Sequence, residues 1–118
     1  MDQRVQAITA LMERHLHRDL SLEEMARSVN LSSSRLRHLF KAEIGRSPAE
    51  YLKLLRMQRA RELIETTFLT MKQIMTEIGV KDKGHFTEDF KKLYDLTPAQ
   101  YAARHRSASL LVKKAAAK

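Results

Sequence analysis

Ser34, Arg37, His38 and Lys41 stand at spacings of three, one and three in the stretch SSSRLRHLFKAEIG. On a helix advancing about 100° per residue they lie between about 100° and 200° from Leu36, whereas Leu39, Phe40 and Ile44 fall within about 80° of it. A hydroxyl, a guanidinium, an imidazole and an ammonium on one side supply hydrogen-bond donors and positive charge. That is chemistry for gripping an acceptor-rich surface, not for breaking bonds. Fifty positions on (Lys41 to Lys91), the stretch KDKGHFTEDFKKLY sets Gly84, Thr87, Glu88 and Lys91 in the matching places. Phe86, Phe90, Leu93 and Tyr94 form its expected inner face.

Other chemistries find no residues to carry them. The absence of cysteine removes disulfides, thiolate zinc sites and cysteine nucleophiles. His15, His17, His38, His85 and His105 show no ligand spacing beyond one His-x-His, so neither metal nor cofactor is expected. No Ser-His-Asp layout, carboxylate pair or phosphate-cradling glycine loop is present, and an enzyme is the poorest fit. The aromatic residues, four Phe and three Tyr, are expected in the core, which argues against a stacking platform for single strands. Lys and Arg number 22 against 14 Asp and Glu, for a net charge of +8 and a pI near 10.0. A folded domain that basic suits a polyanion such as nucleic acid.

The elements that would hold these faces are helical. Val5, Ile8, Leu11, Met12 and Leu16 make one apolar stripe between Arg4 and His17. Ser21 caps the next helix, with Glu24 three residues later as in a capping box and Leu22, Met25, Ala26 and Val29 facing inward. Asn30 suits a left-handed end, and Ser32–Ser34 open a third helix that Gly45 closes. Two helices across a tight turn form the outline of a helix-turn-helix. Ser47-Pro48 starts a long helix of about 27 Å without Gly or Pro from Ala49 to Thr67. Tyr51, Leu52, Leu55, Met57, Ala60, Leu63 and Ile64 nearly encircle it, so packing on more than one side is expected.

The pattern then restarts. Thr70 caps a helix whose Met71, Ile74, Met75 and Ile78 follow Leu22, Met25, Ala26 and Val29 by 49 positions, and Gly79 stands for Asn30. By Phe90 the offset is 50, which places one extra residue in the turn. A helix from about Asp82 to Tyr94 and a short last helix from Thr97-Pro98 complete the copy. The stretch SASLLVKKAAAK is expected to fray. No apolar run approaches the ~20 residues of a membrane span, and the first residues lack a signal-peptide layout. Two probe helices serving successive major grooves must stand about 34 Å apart, and a stiff helix of about 27 Å is a spacer of that order.

The segments Ser21–Ile64 and Ile74–Tyr101 resemble the DNA-binding domain of the AraC/XylS family of bacterial transcription regulators. The most specific match is Gly79, Val80, Asp82, His85, Phe86, Phe90, Lys91, Asp95, Thr97, Pro98 and Tyr101. The resemblance implies an all-α fold of seven helices: two homeodomain-like helix-turn-helix subdomains, 1–47 and 67–106, joined by a linker helix, 48–66. A flexible basic tail, 107–118, would follow. Ser33, Ser34, Arg37 and His38 of the first unit and Lys83, Gly84, Thr87 and Glu88 of the second would face bases in adjacent major grooves. Lys41, Arg46 and Lys91 would hold phosphates, which position without specifying. The implied partner is double-stranded promoter or operator DNA in a bacterial cytoplasm, on the nucleoid, with no membrane; RNA polymerase is a second candidate partner. Any effector would be bound by a domain absent from this chain, either because the chain is a fragment or because it is a small stand-alone regulator. Glu88 departs from the donors common at its position, and Gly84 offers no side chain, so the second unit is expected to discriminate bases weakly. The competing class is a helical protein-interaction module, for example one that docks on RNA polymerase.

Overall fold

The structure is a computed structural model that describes the backbone of residues 1–116 and the side chains of residues 1–107. Among the described residues there are seven helices and no strand: α1 (Gln3–Arg14), α2 (Leu22–Ser28), α3 (Ser33–Ile44), α4 (Pro48–Thr66), α5 (Met71–Ile78), α6 (Lys83–Tyr94) and α7 (Pro98–Ala116). The chain divides into two compact units, Met1–Arg56 and Met57–Lys118. The division falls inside α4, whose residues contribute to both units.

Each unit has its own core. In the first, Val5, Ile8 and Met12 of α1 meet Met25, Ala26, Leu36, Phe40 and Leu52, and the Phe40 ring takes Tyr51 edge-on at 5.6 Å. In the second, Met57, Ala60, Leu63 and Ile64 of α4 meet Ile74, Ile78, Phe86, Phe90 and Ala102. Phe90 is the hub, with the rings of Phe86, Tyr94 and Tyr101 at 6.2, 4.7 and 5.7 Å. Burying one such Phe removes about 2–3 kcal/mol worth of apolar surface from water.

The apolar spacing shows that the repeat is longer than the helix-turn-helix. Val5, Ile8 and Met12 recur as Met57, Ala60 and Ile64, at the same intervals of three and four. The second half of α4 thus does for the second unit what α1 does for the first. That double duty explains why apolar residues run around the whole of α4.

The turns match bond for bond. Asn30, at φ 58°, ends α2 while Leu31 N–H donates to Ala26 O at 2.9 Å and Asn30 N–H to Arg27 O at 3.2 Å. Gly79, at φ 75°, ends α5 while Val80 N–H donates to Met75 O at 2.9 Å and Gly79 N–H to Thr76 O at 3.2 Å. These are the paired closures of a Schellman end. Helix caps follow at Ser32 and Asp82, so the extra residue of the second copy lies between Val80 and Asp82, in the turn as expected.

A pair of arginines also repeats. Arg56 donates from Nε to Leu16 O and from Nη2 to Arg18 O, both at 3.0 Å, clasping the loop between α1 and α2. Arg106, fifty residues later, reaches Leu69 O with Nη2 at 3.5 Å in the loop before α5. Burial pushes the Arg56 pKa down, with Asp19 opposing that shift. Its charge survives because guanidinium acidity is so weak.

Several expectations change. Leu93, expected in the inner face of α6, is 40% exposed: in the last turn it is the neighbouring Tyr94 that packs on the core, and the counterpart of Leu93, Glu43, is exposed as well. Phe68 is not core but 86% exposed, in the loop after α4, with the Arg106 guanidinium 6.0 Å from its ring centroid. Glu24 takes Arg18 Nη2 at 2.8 Å instead of completing a capping box, although Ser21 Oγ does accept from Glu24 N–H at 3.0 Å. The reciprocal box is found at Thr70 and Gln73. α1 ends at Arg14, and α7 is longer than expected, with helical backbone to Ala116. Its later residues lack Gly and Pro and are rich in Ala, Leu and Lys, which favour helix. Residues 117 and 118 of the expected tail lie outside the described residues.

Asp95 ends α6 at φ 64°, a conformation that strains residues with a Cβ, and its carboxylate sits at a helix C-terminus. Asp95→Gly is expected to raise the unfolding free energy by about 0.5–1 kcal/mol in denaturant titrations. Arg56→Ala is expected to lower it by about 1–2 kcal/mol, with part recovered by Arg56→Lys, because two loop carbonyls lose a charged donor.

Candidate nucleic-acid interface

α3 is fixed in rotation by its inner face and in length by its caps. Leu36 and Phe40 are fully buried. Ser32 Oγ accepts from Arg35 N–H at 3.1 Å, and Gly45, at φ 86°, sends its N–H to Lys41 O at 2.8 Å. With the inner side held, Ser34, Arg37, His38 and Lys41 are all exposed, and Arg46 is exposed just past Gly45. Ser33, in the first turn, is half-buried. Among the described residues, the side chains of Arg37, His38 and Lys41 form no hydrogen bond or ion pair. Their donors are available to something outside the chain.

α6 is built alike but presents a different surface. Phe86 and Phe90 are buried, and the Asp82 Oδ1 cap accepts from His85 N–H at 2.8 Å. That backbone bond, followed by the nearby His85 charge, holds the Asp82 carboxyl below the usual aspartate range. A Cβ on Gly84 would come 3.2 Å from the capping oxygen, so glycine there leaves the cap room. Lys83, Glu88 and Lys91 are exposed, while Thr87 is half-buried and donates its hydroxyl to Lys83 O at 2.9 Å. Thr87 therefore offers an acceptor and a methyl group rather than a donor. Among the described residues Glu88 pairs with neither Lys91 nor Lys92. Its carboxylate is an open acceptor in a cationic neighbourhood.

The first unit contains one thing the helical wheel did not show. An open cleft of about 570 Å³ between α1 and α3 is lined by Arg4, Ser32, Ser34, Arg35, His38 and Leu39. Arg4 and Arg35 sit on different helices, at the flanks of their apolar stripes, so no local pattern in the sequence links them. Among the described residues no group of three His, Cys, Asp or Glu could hold a metal ion, and no helix is long and apolar enough to cross a membrane.

Comparison with known proteins agrees with this architecture. The family model described as a helix-turn-helix domain matches residues 25–104. A crystal structure of a transcriptional regulator of Chromobacterium violaceum, described as an AraC-type DNA-binding domain-containing protein, superposes with a TM-score of 0.80 at 29% identity, covering 86% of this chain and 91% of that one. The chain belongs to the AraC/XylS family of helix-turn-helix DNA-binding domains. The chain is also similar to the lactose operon transcription activator of Staphylococcus xylosus, 31% identical over 97 residues, or 82% of this chain. The chain spans about a third of that relative's length, 35%. The DNA-binding domain of AdpA, solved with a target DNA, shares the fold with a TM-score of 0.85 at 21% identity, covering 91% of this chain and 96% of that one.

The Asp82 cap makes the start of α6 sensitive to acid. Because its folded pKa is depressed, the stabilisation it supplies is complete above the unfolded aspartate pKa and is lost as pH falls through the lower folded value. The His85 amide resonance is expected to titrate below the ordinary aspartate range. Asp82→Asn, which can still cap, should abolish that titration and lose less thermal stability on acidification than the wild type.

Proposed function

We propose that this chain binds promoter DNA sequence-specifically, as part of a bacterial transcription regulator, by laying α3 and α6 in adjacent major grooves. The observation that carries this reading is the unit built twice: a 12-residue helix, clamped by buried aromatic or aliphatic side chains, whose outer face is polar. The major groove admits one α-helix and displays a donor and acceptor pattern unique to each base pair. The helix α4, 19 residues without a break, is about 28 Å long, of the order of one helical pitch of DNA.

In this reading Ser33, Ser34, Arg37 and His38 face bases from α3. Arg37 is the main discriminator, because a guanidinium can bond guanine O6 and N7 together. Lys83, Gly84, Thr87 and Glu88 face bases from α6, where Glu88 would accept from a cytosine amino group and Gly84 would let the backbone approach. Lys41, Arg46 and Lys91 bind phosphates. With few donors on α6, the second unit contributes mainly backbone affinity and the first most of the sequence preference. The role implies a cytoplasmic, nucleoid-bound protein. A protein-docking module would not need exposed cations at matched positions in both copies.

Selection of bound sites from random duplexes, followed by titration at several salt concentrations, tests the proposal. About six phosphate contacts give an expected slope of log K against log salt near −5. Arg37→Ala should relax preference at one or two base pairs by about 1–3 kcal/mol, whereas substitutions of bases beneath the second unit should cost less. Equal weakening of Arg37→Ala on every sequence would make Arg37 a phosphate contact, and a flat salt response would remove DNA as the partner.

A further inference from the structure

We infer that the cleft between α1 and α3 is a phosphate-binding site, in which Arg4 and Arg35 clamp a phosphate oxyanion beside the base-facing side of α3. In its main form the inference rests on the DNA reading above, with a phosphodiester of the bound duplex as the ligand. A free phosphate ion presents the same chemistry and is separated by experiment.

Three observations meet in this cleft. The first is composition: the walls carry two guanidiniums, an imidazole and two hydroxyls, and no carboxylate. The side chains of Arg35 and His38 form no hydrogen bond or ion pair among the described residues, so their donors are not committed elsewhere. Ser32 Oγ accepts from Arg35 N–H, which leaves the hydroxyl proton for a ligand. The second is the way Arg4 is held. Asp2 caps α1 by accepting Arg4 N–H at 2.7 Å, and the same carboxylate receives Nε at 3.3 Å and Nη2 at 3.1 Å from the Arg4 side chain. That bidentate pair spans only two residues, with the Arg4 side chain 44% and the Asp2 side chain 21% exposed, and it fixes the direction of the guanidinium. Asp2 takes Nε and Nη2, which leaves Nη1 for a phosphate oxygen, a group that a guanidinium recognises as well as it does a carboxylate.

The third observation is that the equivalent positions of the second unit do not carry these groups. The place of Arg4 in the longer repeat falls to Arg56, which is engaged with loop carbonyls. Ser34, Arg35 and His38 are replaced by Gly84, His85 and Glu88. A carboxylate stands where the first unit has an imidazole. This set of donors therefore belongs to the first unit and is not repeated with the fold. The cleft walls share Ser34 and His38 with the base-facing set of the DNA reading, leaving Arg4 and Arg35 as the groups given to the phosphate alone. A phosphate clamped there would set how far along the groove α3 can slide.

The test compares the wild type with Arg4→Ala, Arg35→Ala, Arg4→Lys and Asp2→Asn. Arg4→Ala leaves the α1 cap in place, because the cap bond uses the backbone N–H. Fluorescence anisotropy with the selected duplex should show each alanine variant weakened about three- to tenfold on every sequence, with the salt slope less negative by about 1. Arg4→Lys should recover part of the loss, and Asp2→Asn, which keeps a capping oxygen but removes its charge, should bind more tightly. In a parallel arm, inorganic phosphate is titrated into DNA-free protein while the Ser34–His38 amides are followed by NMR. Saturable shifts in the wild type that vanish in Arg4→Ala/Arg35→Ala, with DNA affinity unchanged, assign the site to a free phosphate. Unchanged DNA affinity and salt slope, together with no saturable shift, overturn the inference; so does a changed base preference in Arg35→Ala, which would make Arg35 a base reader. If those results accompany an intact Arg37 effect, the DNA reading stands without the cleft. If the wild type binds no duplex, the DNA reading falls and the phosphate arm alone decides.

Discussion

Each unit depends on one constraint: a 12-residue amphipathic helix is too short to persist alone and must bury one side. For α3 that side is Leu36 and Phe40, and for α6 it is Phe86 and Phe90. Isolated helices of this length are marginal in water, so stability comes from the buried face and not from propensity. Once those rings are seated, the rotation of the helix is decided, and everything about 180° away must meet solvent or a partner. The outer face is the remainder left by core packing. The caps at Ser32 and Asp82 and the left-handed closures at Gly45 and Asp95 limit each helix so that its outer face is one short strip.

Much of this was legible in the residue pattern because short-range signals carry it. Cap residues, left-handed ends and period-3.6 stripes act within four or five positions, and they located most helix boundaries to within a residue or two. The shift of the offset from 49 to 50 placed the extra residue in the turn, where a residue can be added without turning a helix face. Leu93 shows where the wheel fails. It lies about 20° from Phe86 in projection, yet a wheel has no axial coordinate, and in the last turn of α6 Tyr94 packs on the core while Leu93 does not. The charged residue at the equivalent position 43 was the sign that this place is not covered.

Features made by distant segments were not legible. The clasp of Arg56 on Leu16 and Arg18 spans about forty residues, and its counterpart at Arg106 is apparent only once the 50-residue offset is carried beyond the proline. The cleft joins Arg4 to Arg35 across two helices whose separate patterns say nothing of each other. The expectation that the outer residues of α3 and α6 would be exposed holds for all but Ser33 and Thr87, which are half-buried. Thr87 turns its hydroxyl inward to its own helix, a rotamer choice that residue type alone does not announce.

The continuity of α4 through both cores has a consequence for anyone dissecting the molecule. Leu52 closes one interior, while Met57, Ala60, Leu63 and Ile64 open the next, and the border runs between neighbouring residues of an unbroken coil. A cut at that border would leave each product with a raw half-rod, short of the length at which a helix holds itself together. Clean separation requires overlapping fragments that both contain Pro48–Thr66, and each would then carry a greasy stretch whose rightful cover went to its sibling.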